Sequence, residues 1–335
     1  MRAVALLSGG LDSTLAVRVL QDQDIELKAI NFKSVFCTCT PKGSSCSAAR
    51  TAVKQLGVDL KTVSTSSRFL DVIKNPKHGY GSEMNPCLDC RIMMMKRAHE
   101  YMKDIDAQFM VTGEVLGERP MSQRREAMKL IEREAGVEGL VLRPLCAQHM
   151  EPTIPEEKGW VDRDQLLDMR GRNRTPQIEL AEDLGISDYP CPAGGCRLTD
   201  PGFASRMRDL LDHKPDFDLN DVRLLIQGRH FRLSPDCKAI MGREEQENLH
   251  LRGLAREGDL LMELSDVPGP LTVLRGDHTD EHLRTMAALT ARYSKARDQE
   301  SVRATVWNIG CEKRTELSVE PAGDNEYSHM LVTPD

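Results

Sequence analysis

As far as about residue 150, short apolar runs alternate with segments whose apolar residues recur every three or four positions. The runs 3–7, 27–32, 60–64, 109–112 and 140–143 read as strands. The periodic segments 11–21, 47–56, 88–102 and 123–135 read as helices, with Leu15, Val19 and Leu20 on one face of the first. Gly57 and Gly136 fall where helix C-caps are expected. This alternation predicts an α/β domain over 1–150, a parallel sheet covered by helices on both faces, with ligands at the carboxyl ends of its strands.

The texture then changes. Residues 151–215 hold no convincing strand: 164–169, 176–184 and a stretch near 201–211 read as helical, around a Pro/Gly-rich loop at 188–195, so a helical appendage is expected. His213, Lys214, Pro215 and Asp216 read as a linker. Beyond them short strands predominate, at 222–226, 231–233, 239–241, 260–264, 271–274 and 304–308, with helices at 244–256 and 282–295 and a small β element at 330–332. A smaller α+β domain is predicted over 219–335.

At 335 residues the chain is long for one domain, in keeping with this division. No apolar run reaches the length of a membrane span, and 3–7 is too short for the core of a signal peptide, so a cytoplasmic location is expected. Ten cysteines then point to metal or catalysis rather than to a disulfide scaffold. The net charge of −7 argues against wholesale nucleic-acid binding. Local basic clusters at Arg91, Lys96 and Arg97, at Arg124 and Arg125, and at Arg170, Arg172 and Arg174 fit either a folded RNA or ordinary solvated helix faces.

Two motifs carry chemistry. Ser8-Gly9-Gly10-Leu11-Asp12-Ser13-Thr14 joins the first strand to the first helix. A Gly-rich turn opening a helix gathers backbone N–H groups into a concave anion site. The lysine of a kinase or GTPase P-loop is missing. Thr112-Gly113-Glu114 closes the fourth strand at the same sheet edge, and Ser122, Gln123 and Arg124 follow it. The second motif is Cys87-Leu88-Asp89-Cys90, two thiols at a helix start that can share one metal or cluster. Cys191 and Cys196 are the distant candidates for further ligands, which leaves structural zinc, a redox or persulfide pair and a three-ligand iron–sulfur cluster open. Cys37-Thr38-Cys39 is too tight for a usual zinc knuckle, so Cys37, Cys39 and Cys46 read as accessory thiols near the site; Cys146, Cys237 and Cys311 read as small packing residues. No H-E-x-x-H pattern exists, and His78 and His99 read as structural.

The loop at 8–13 carries the S-G-G-x-D-S signature of the PP-loop ATP-pyrophosphatases, an adenine nucleotide alpha hydrolase-like fold. Together with Thr112-Gly113-Glu114, Met121-Ser122-Gln123 and Leu142-Arg143-Pro144-Leu145 it resembles the PP-loop domain of tRNA 4-thiouridine synthases and, more widely, the tRNA thiolation enzymes that include the 2-thiouridylases. The likeness covers about residues 1–212. It implies ATP across the loop, with Gly9, Gly10 and Ser13 on pyrophosphate, Ser8, Thr14, Thr112 and Gly113 beside it, and Asp12 holding Mg²⁺ or orienting the phosphates. Asn85-Pro86-Cys87-Leu88-Asp89-Cys90 and Pro192-Ala193-Gly194-Gly195-Cys196 resemble the layout that holds a 4Fe–4S cluster in several members. Cys87, Cys90 and Cys196 are its implied ligands, with Cys191 competing for the third place. The implied partners are tRNA and a sulfur donor, either sulfide or a persulfide carrier.

The family's THUMP and rhodanese regions find no match here. Residues 225–233 and 242–248 instead resemble the NFACT-type RNA-binding domain, which implies RNA docking through Arg229, His230, Arg232 and Arg243. A PP-loop ligase or amidotransferase acting on a small molecule would need the same loop but neither the cysteine pair nor an RNA-binding end. A non-catalytic RNA-binding adaptor would not need the intact loop.

Overall fold

The structure, a computed structural model, describes residues 1–38, 47–189, 195–311 and 313–334. It divides into two compact units, Met1–Arg197 and Leu198–Asp335.

In the first unit, β1 (Arg2–Leu6), β2 (Glu26–Lys33), β3 (Asp59–Ser64), β4 (Phe109–Thr112) and β5 (Val141–Leu142) form one sheet in the order β3-β2-β1-β4-β5, every pair parallel. Successive residues of a strand face opposite sides, and the two cores follow that period. Ala3, Ala5, Leu7, Phe109 and Val111 pack on one side with α1 (Leu11–Gln21) and α2 (Ser47–Leu56). Val4, Leu6 and Met110 pack on the other with α4 (Cys87–Asp104) and α5 (Arg125–Ala135). α3 (Ser66–Lys74) precedes α4, the four-residue α6 (Ile154–Glu157) follows β5, and α7 (Thr175–Asp183) lies against α1. Gly57 and Gly136 both take the left-handed conformation that ends their helices. Only a 3₁₀ turn forms at Arg163–Gln165, where the sequence suggests a longer helix; the Asp162 side chain caps its start by accepting from the Asp164 N–H, and the backbone is extended again at Leu166.

In the second unit, α8 (Pro201–His213) and α9 (Leu219–Leu224) precede β6 (Arg229–Ser234), β7 (Cys237–Met241), α10 (Glu245–Leu254), β8 (Leu260–Leu264), β9 (Thr272–Gly276), α11 (Asp280–Arg292), β10 (Val302–Asn308) and β11 (Arg314–Val319). The six strands form an antiparallel sheet in the order β11-β10-β8-β9-β7-β6. Alternation again separates its faces: Ala239, Met241, Met262 and Leu274 pack with Met286 and Leu289 of α11, while Ile240, Leu261 and Val273 pack with Leu224 of α9 and Leu251 of α10. Residues 222–226, expected to be a strand, instead begin inside α9. Asp218 caps that helix through the N–H groups of Asn220 and Asp221, and Asp221 returns a bond to the Asp218 N–H, a capping box that overrides the apolar run. At the C-terminus the small β element reduces to one bridge, Phe231 to Leu331. Among the described residues no helix is long and apolar enough to cross a membrane.

Candidate nucleotide and thiol site

β1 lies inside its sheet, and the strand order reverses direction between β1 and β4. Such a switch point opens a crevice outside the carboxyl ends of the two strands. The Ser8-Gly9-Gly10 turn sits there. Its hydroxyls are spent on the turn itself: Ser13 Oγ donates to the Gly10 carbonyl at 2.9 Å, Thr14 Oγ1 donates to the same carbonyl at 3.0 Å, and Ser8 Oγ lies 3.0 Å from Ser13 Oγ and accepts from the Gly10 N–H at 3.2 Å.

Two glycines decide how closely the backbones meet. Gly9 has φ of +82°, and a Cβ there would stand 2.2 Å from the Ala48 carbonyl carbon, so the loop is pressed onto the first turn of α2. A Cβ on Gly113 would stand 2.4 Å from the Asp12 carbonyl carbon and from the Ser13 nitrogen. The end of β4 therefore touches the first turn of α1, and Asp12 lies at the centre of the arrangement.

Behind Gly113, Glu114 and Arg143 are both buried and paired, with Arg143 Nε 3.1 Å from Glu114 Oε2 and Nη1 2.5 Å from Glu132 Oε1. Thr112 Oγ1 donates to Glu114 at 3.2 Å. Burial alone would raise the Glu114 carboxyl pKa; the charges of Arg91 and Arg143 outweigh it and hold the carboxyl below its usual range. The T-G-E and L-R-P-L motifs are thus two halves of one buried ion pair. Gln123 of the S-Q motif braces the loop above, its carbonyl accepting from the Gly117 N–H at 2.7 Å and its side chain from the Arg119 N–H at 3.0 Å.

Asp12 has a partner that sequence patterning did not single out. Arg174 Nη2 stands 3.2 Å from Asp12 Oδ2 and 3.4 Å from Oδ1. Arg174 comes from 162 residues away by a backbone route: Leu116 pairs with Arg170 in a parallel bridge, and the Gly171 N–H donates to the Leu116 carbonyl at 2.8 Å. Its Nε lies 4.0 Å from Glu118 Oε1. Burial and the charge of Asp12 raise the Glu118 carboxyl pKa.

Cys87 and Cys90 occupy the first turn of α4, three residues apart and so on one face. The segments 36–38 and 195–197 meet as a short antiparallel pair, with Cys37 opposite Cys196. The Thr38 N–H donates to the Gly195 carbonyl at 3.3 Å and the Arg197 N–H to the Phe36 carbonyl at 2.8 Å. These bonds flank Cys37 and Cys196 rather than join them, which is the register that brings opposed side chains closest. Burial raises the Cys90 thiol pKa to about 12, against the pull of Arg91, and the neighbouring Cys196, Cys87 and Cys37 add to the rise. Four thiols from three segments therefore share one neighbourhood, none in a disulfide. Arg91, beside Cys90, also reaches to 3.5 Å from Glu114 Oε1 and so ties this helix to the nucleotide side.

Among the described residues no three Cys, His, Asp or Glu side chains converge closely enough for a single metal ion. Ligands of an iron–sulfur cluster each take a different iron, so thiols gathered around a common space fit that group. Cys191 lies outside the described residues, as do Cys39 and Cys46. Cys146 and Cys237 are fully buried and Cys311 is exposed.

In the second unit Arg229 lies 4.5 Å from the Tyr293 ring centroid. Arg243 is half exposed and paired with Glu247. Arg232 is held by Asp209 at 2.8 Å. His230 is only 1% exposed, its Nε2 bonded to the Gln227 carbonyl at 2.8 Å, and burial together with Lys238 and Arg206 keeps its pKa well below the ordinary histidine value. Its place is in the scaffold, not on an RNA-facing surface: alternation along β6 turns it inward.

Fold and site together define an α/β domain with a glycine-rich loop at the switch point of a parallel sheet, followed in the chain by an α+β unit. Residues 1–155 match the family of the thiamine biosynthesis protein ThiI, and residues 228–331 match the NFACT protein RNA-binding domain. An uncharacterized protein of Methanocaldococcus jannaschii is 26% identical over 115 residues, 34% of this chain and 41% of that relative, so the match spans about two fifths of the curated relative. Solved structures it is similar to include a 4-thiouridine synthetase–RNA complex with bound ATP (19% identity, 55% of this chain and 41% of that one, TM-score 0.38). A second is the U34-tRNA thiolase NcsA of Methanococcus maripaludis with its 4Fe–4S cluster (14%, 68% and 70%, TM-score 0.32). A third is the C-terminal part of a fibronectin/fibrinogen-binding protein of Streptococcus suis (17%, 47% and 77%, TM-score 0.29).

Proposed function

We propose that this chain is an ATP-dependent tRNA sulfurtransferase of the cytoplasm, replacing a uridine carbonyl oxygen by sulfur. The observation that carries the reading is the contact of Gly113 with Asp12 and Ser13 at the sheet's switch point, in the same unit as the gathered thiols. The family matches at 1–155 and 228–331 supply a nucleotide domain and an RNA-binding domain in one polypeptide.

In this account the backbone N–H groups of the loop and of the first turn of α1 hold the leaving pyrophosphate, and Asp12 holds the Mg²⁺ that accompanies ATP. The uridine carbonyl oxygen attacks the α-phosphorus, the bond to the α,β-bridging oxygen breaks, and its electron pair leaves on pyrophosphate. Sulfide then attacks the activated carbon, the carbon–oxygen bond breaks, and AMP departs. Where a persulfide carrier attacks instead, the sulfur stays joined to the carrier in a disulfide until a second thiol attacks the carrier sulfur, releasing thiouridine and leaving the carrier in a disulfide with that thiol. Such a reaction draws mainly on positioning and charge neutralisation. Cys87, Cys90 and Cys196 would hold a 4Fe–4S cluster, which when bound supplies a place for the incoming sulfur. Arg229 and Arg243 of the second unit are the candidates for RNA phosphate contacts.

The test is an anaerobic assay of the full chain with tRNA and Mg²⁺-ATP. We expect tRNA-stimulated release of pyrophosphate and AMP, abolished in Asp12→Ala, and bound iron and sulfide that Cys87→Ala loses. Undiminished pyrophosphate release by Asp12→Ala would overturn the nucleotide assignment. Stoichiometric zinc without iron in the wild type would overturn the cluster.

A further inference from the structure

We propose that Arg174 is a phosphate-binding residue of the nucleotide site, held at the mouth of the loop by Asp12 until ATP takes its place. The inference rests on the nucleotide reading above. Arg174 contributes the long-range cation at Asp12, with Nη2 3.2 and 3.4 Å from the two carboxylate oxygens. An arginine fork suits a phosphate oxygen as well as a carboxylate. The Leu116–Arg170 bridge and the Gly171–Leu116 hydrogen bond fix the backbone that delivers it, and α7, which starts at the next residue, is packed on α1. The side chain is therefore presented by rigid elements.

Two further observations point to a polar ligand on this face. Arg174 Nε is buried and makes no hydrogen bond, although its fork is engaged. Three residues on, on the same face of α7, Gln177 is 1% exposed with neither amide atom hydrogen-bonded. Buried polar atoms without partners are rare in folded proteins and mark positions with a use beyond packing. The Asp12–Arg174 pair is neutral, with Glu118 Oε1 4.0 Å from Arg174 Nε. When Mg²⁺-ATP binds, Asp12 faces magnesium and Arg174 faces phosphate, so each of the two side chains keeps a partner of opposite charge. The cation then faces the negative charge that grows on pyrophosphate as the α,β bond breaks.

The experiment measures equilibrium binding of Mg²⁺-ATP and of adenosine to the full-length wild type and to Arg174→Gln. Loss of a charge-assisted contact to phosphate predicts ATP binding weaker on the order of tenfold or more, with adenosine affinity unchanged. If both ligands bind as in the wild type, Arg174 serves only Asp12 and the proposal fails. If both weaken equally, Arg174 supports the fold of the site and the proposal fails in the other direction. Absence of ATP binding by the wild type would instead strike the underlying nucleotide reading. A second variant guards against misfolding: Asp12→Asn releases Arg174, so magnesium-free ATP should bind it more tightly than it binds the wild type. Equal or weaker binding contradicts the proposal.

Discussion

At the scale of single residues the site depends on a missing side chain. Gly113 lets the end of β4 reach the backbone of Asp12 and Ser13, where any Cβ would stand 2.4 Å from two backbone atoms. That distance is far inside van der Waals contact, and neither atom can move without displacing the phosphate loop. Gly113→Ala should weaken ATP binding by an order of magnitude or more while far-ultraviolet circular dichroism keeps its native shape. Gly136→Ala is the matched control. Nothing lies within 4 Å of its Cβ position, and its left-handed φ of +67° should cost stability of roughly 1 kcal/mol without touching nucleotide affinity. Wild-type ATP affinity in Gly113→Ala would remove the close-approach argument. The Glu114–Arg143 pair behind the loop is a second residue-scale feature: with both partners buried, either one alone would be an uncompensated charge.

Between elements, a half-buried carboxylate of the second unit ties one helix to two strands. Asp209 of α8 accepts from Arg232 of β6 and from Lys238 of β7, at 2.8 and 2.5 Å. Burial would raise its pKa, but the Arg232 hydrogen bonds and the Lys238 charge prevail and hold it well below the ordinary aspartate range. A carboxyl whose folded pKa is depressed adds stability above its unfolded pKa, about 3.9, and loses it as pH falls toward the folded value. Asp209→Asn should therefore cost about 3 kcal/mol near neutral pH, and its gap from the wild type should narrow in thermal melts as pH drops from about 5 to 3. A gap that stays constant over that range would show that Asp209 acts through packing alone.

The same scale shows what the sequence makes legible. Periodic segments such as α1 and α2 and the apolar run of β4 were readable to the residue, because their signals are local. α3 escaped: its buried Phe69, Leu70 and Ile73 have helical spacing, but nine residues give too few turns to stand out. α9 was misread because Val222, Leu224, Leu225 and Ile226 are too short a segment to distinguish strand from helix, and the Asp218 box decided it. At the site, the glycine loop, the T-G-E turn and the cysteine pair were visible as contiguous motifs. Cys37 was legible only as an accessory thiol and Arg174 only as part of a basic cluster; their partners were not, since the 116–170 and 37–196 backbone pairings that deliver them have no local signature. His230 looked like a surface cation within a basic string, and only the inward turn of β6 removes it.

Across the whole molecule the chemistry and the docking fall in different units. The loop, Asp12, Arg174 and the described thiols of the site belong to residues 1–197, and the NFACT match lies within residues 198–335. An acidic chain of net charge −7 is suited to local, transient engagement of RNA rather than to coating it. The central claim is that ATP cleavage at the loop drives exchange of oxygen for sulfur on tRNA. It is tested most directly by nucleoside mass spectrometry of tRNA incubated anaerobically with the purified full chain, Mg²⁺-ATP and isotope-labelled sulfide. The account predicts a uridine in which one oxygen has been replaced by labelled sulfur, formed only with ATP and absent with Asp12→Ala. Unmodified tRNA recovered from reactions in which ATP has been converted to AMP and pyrophosphate would contradict it.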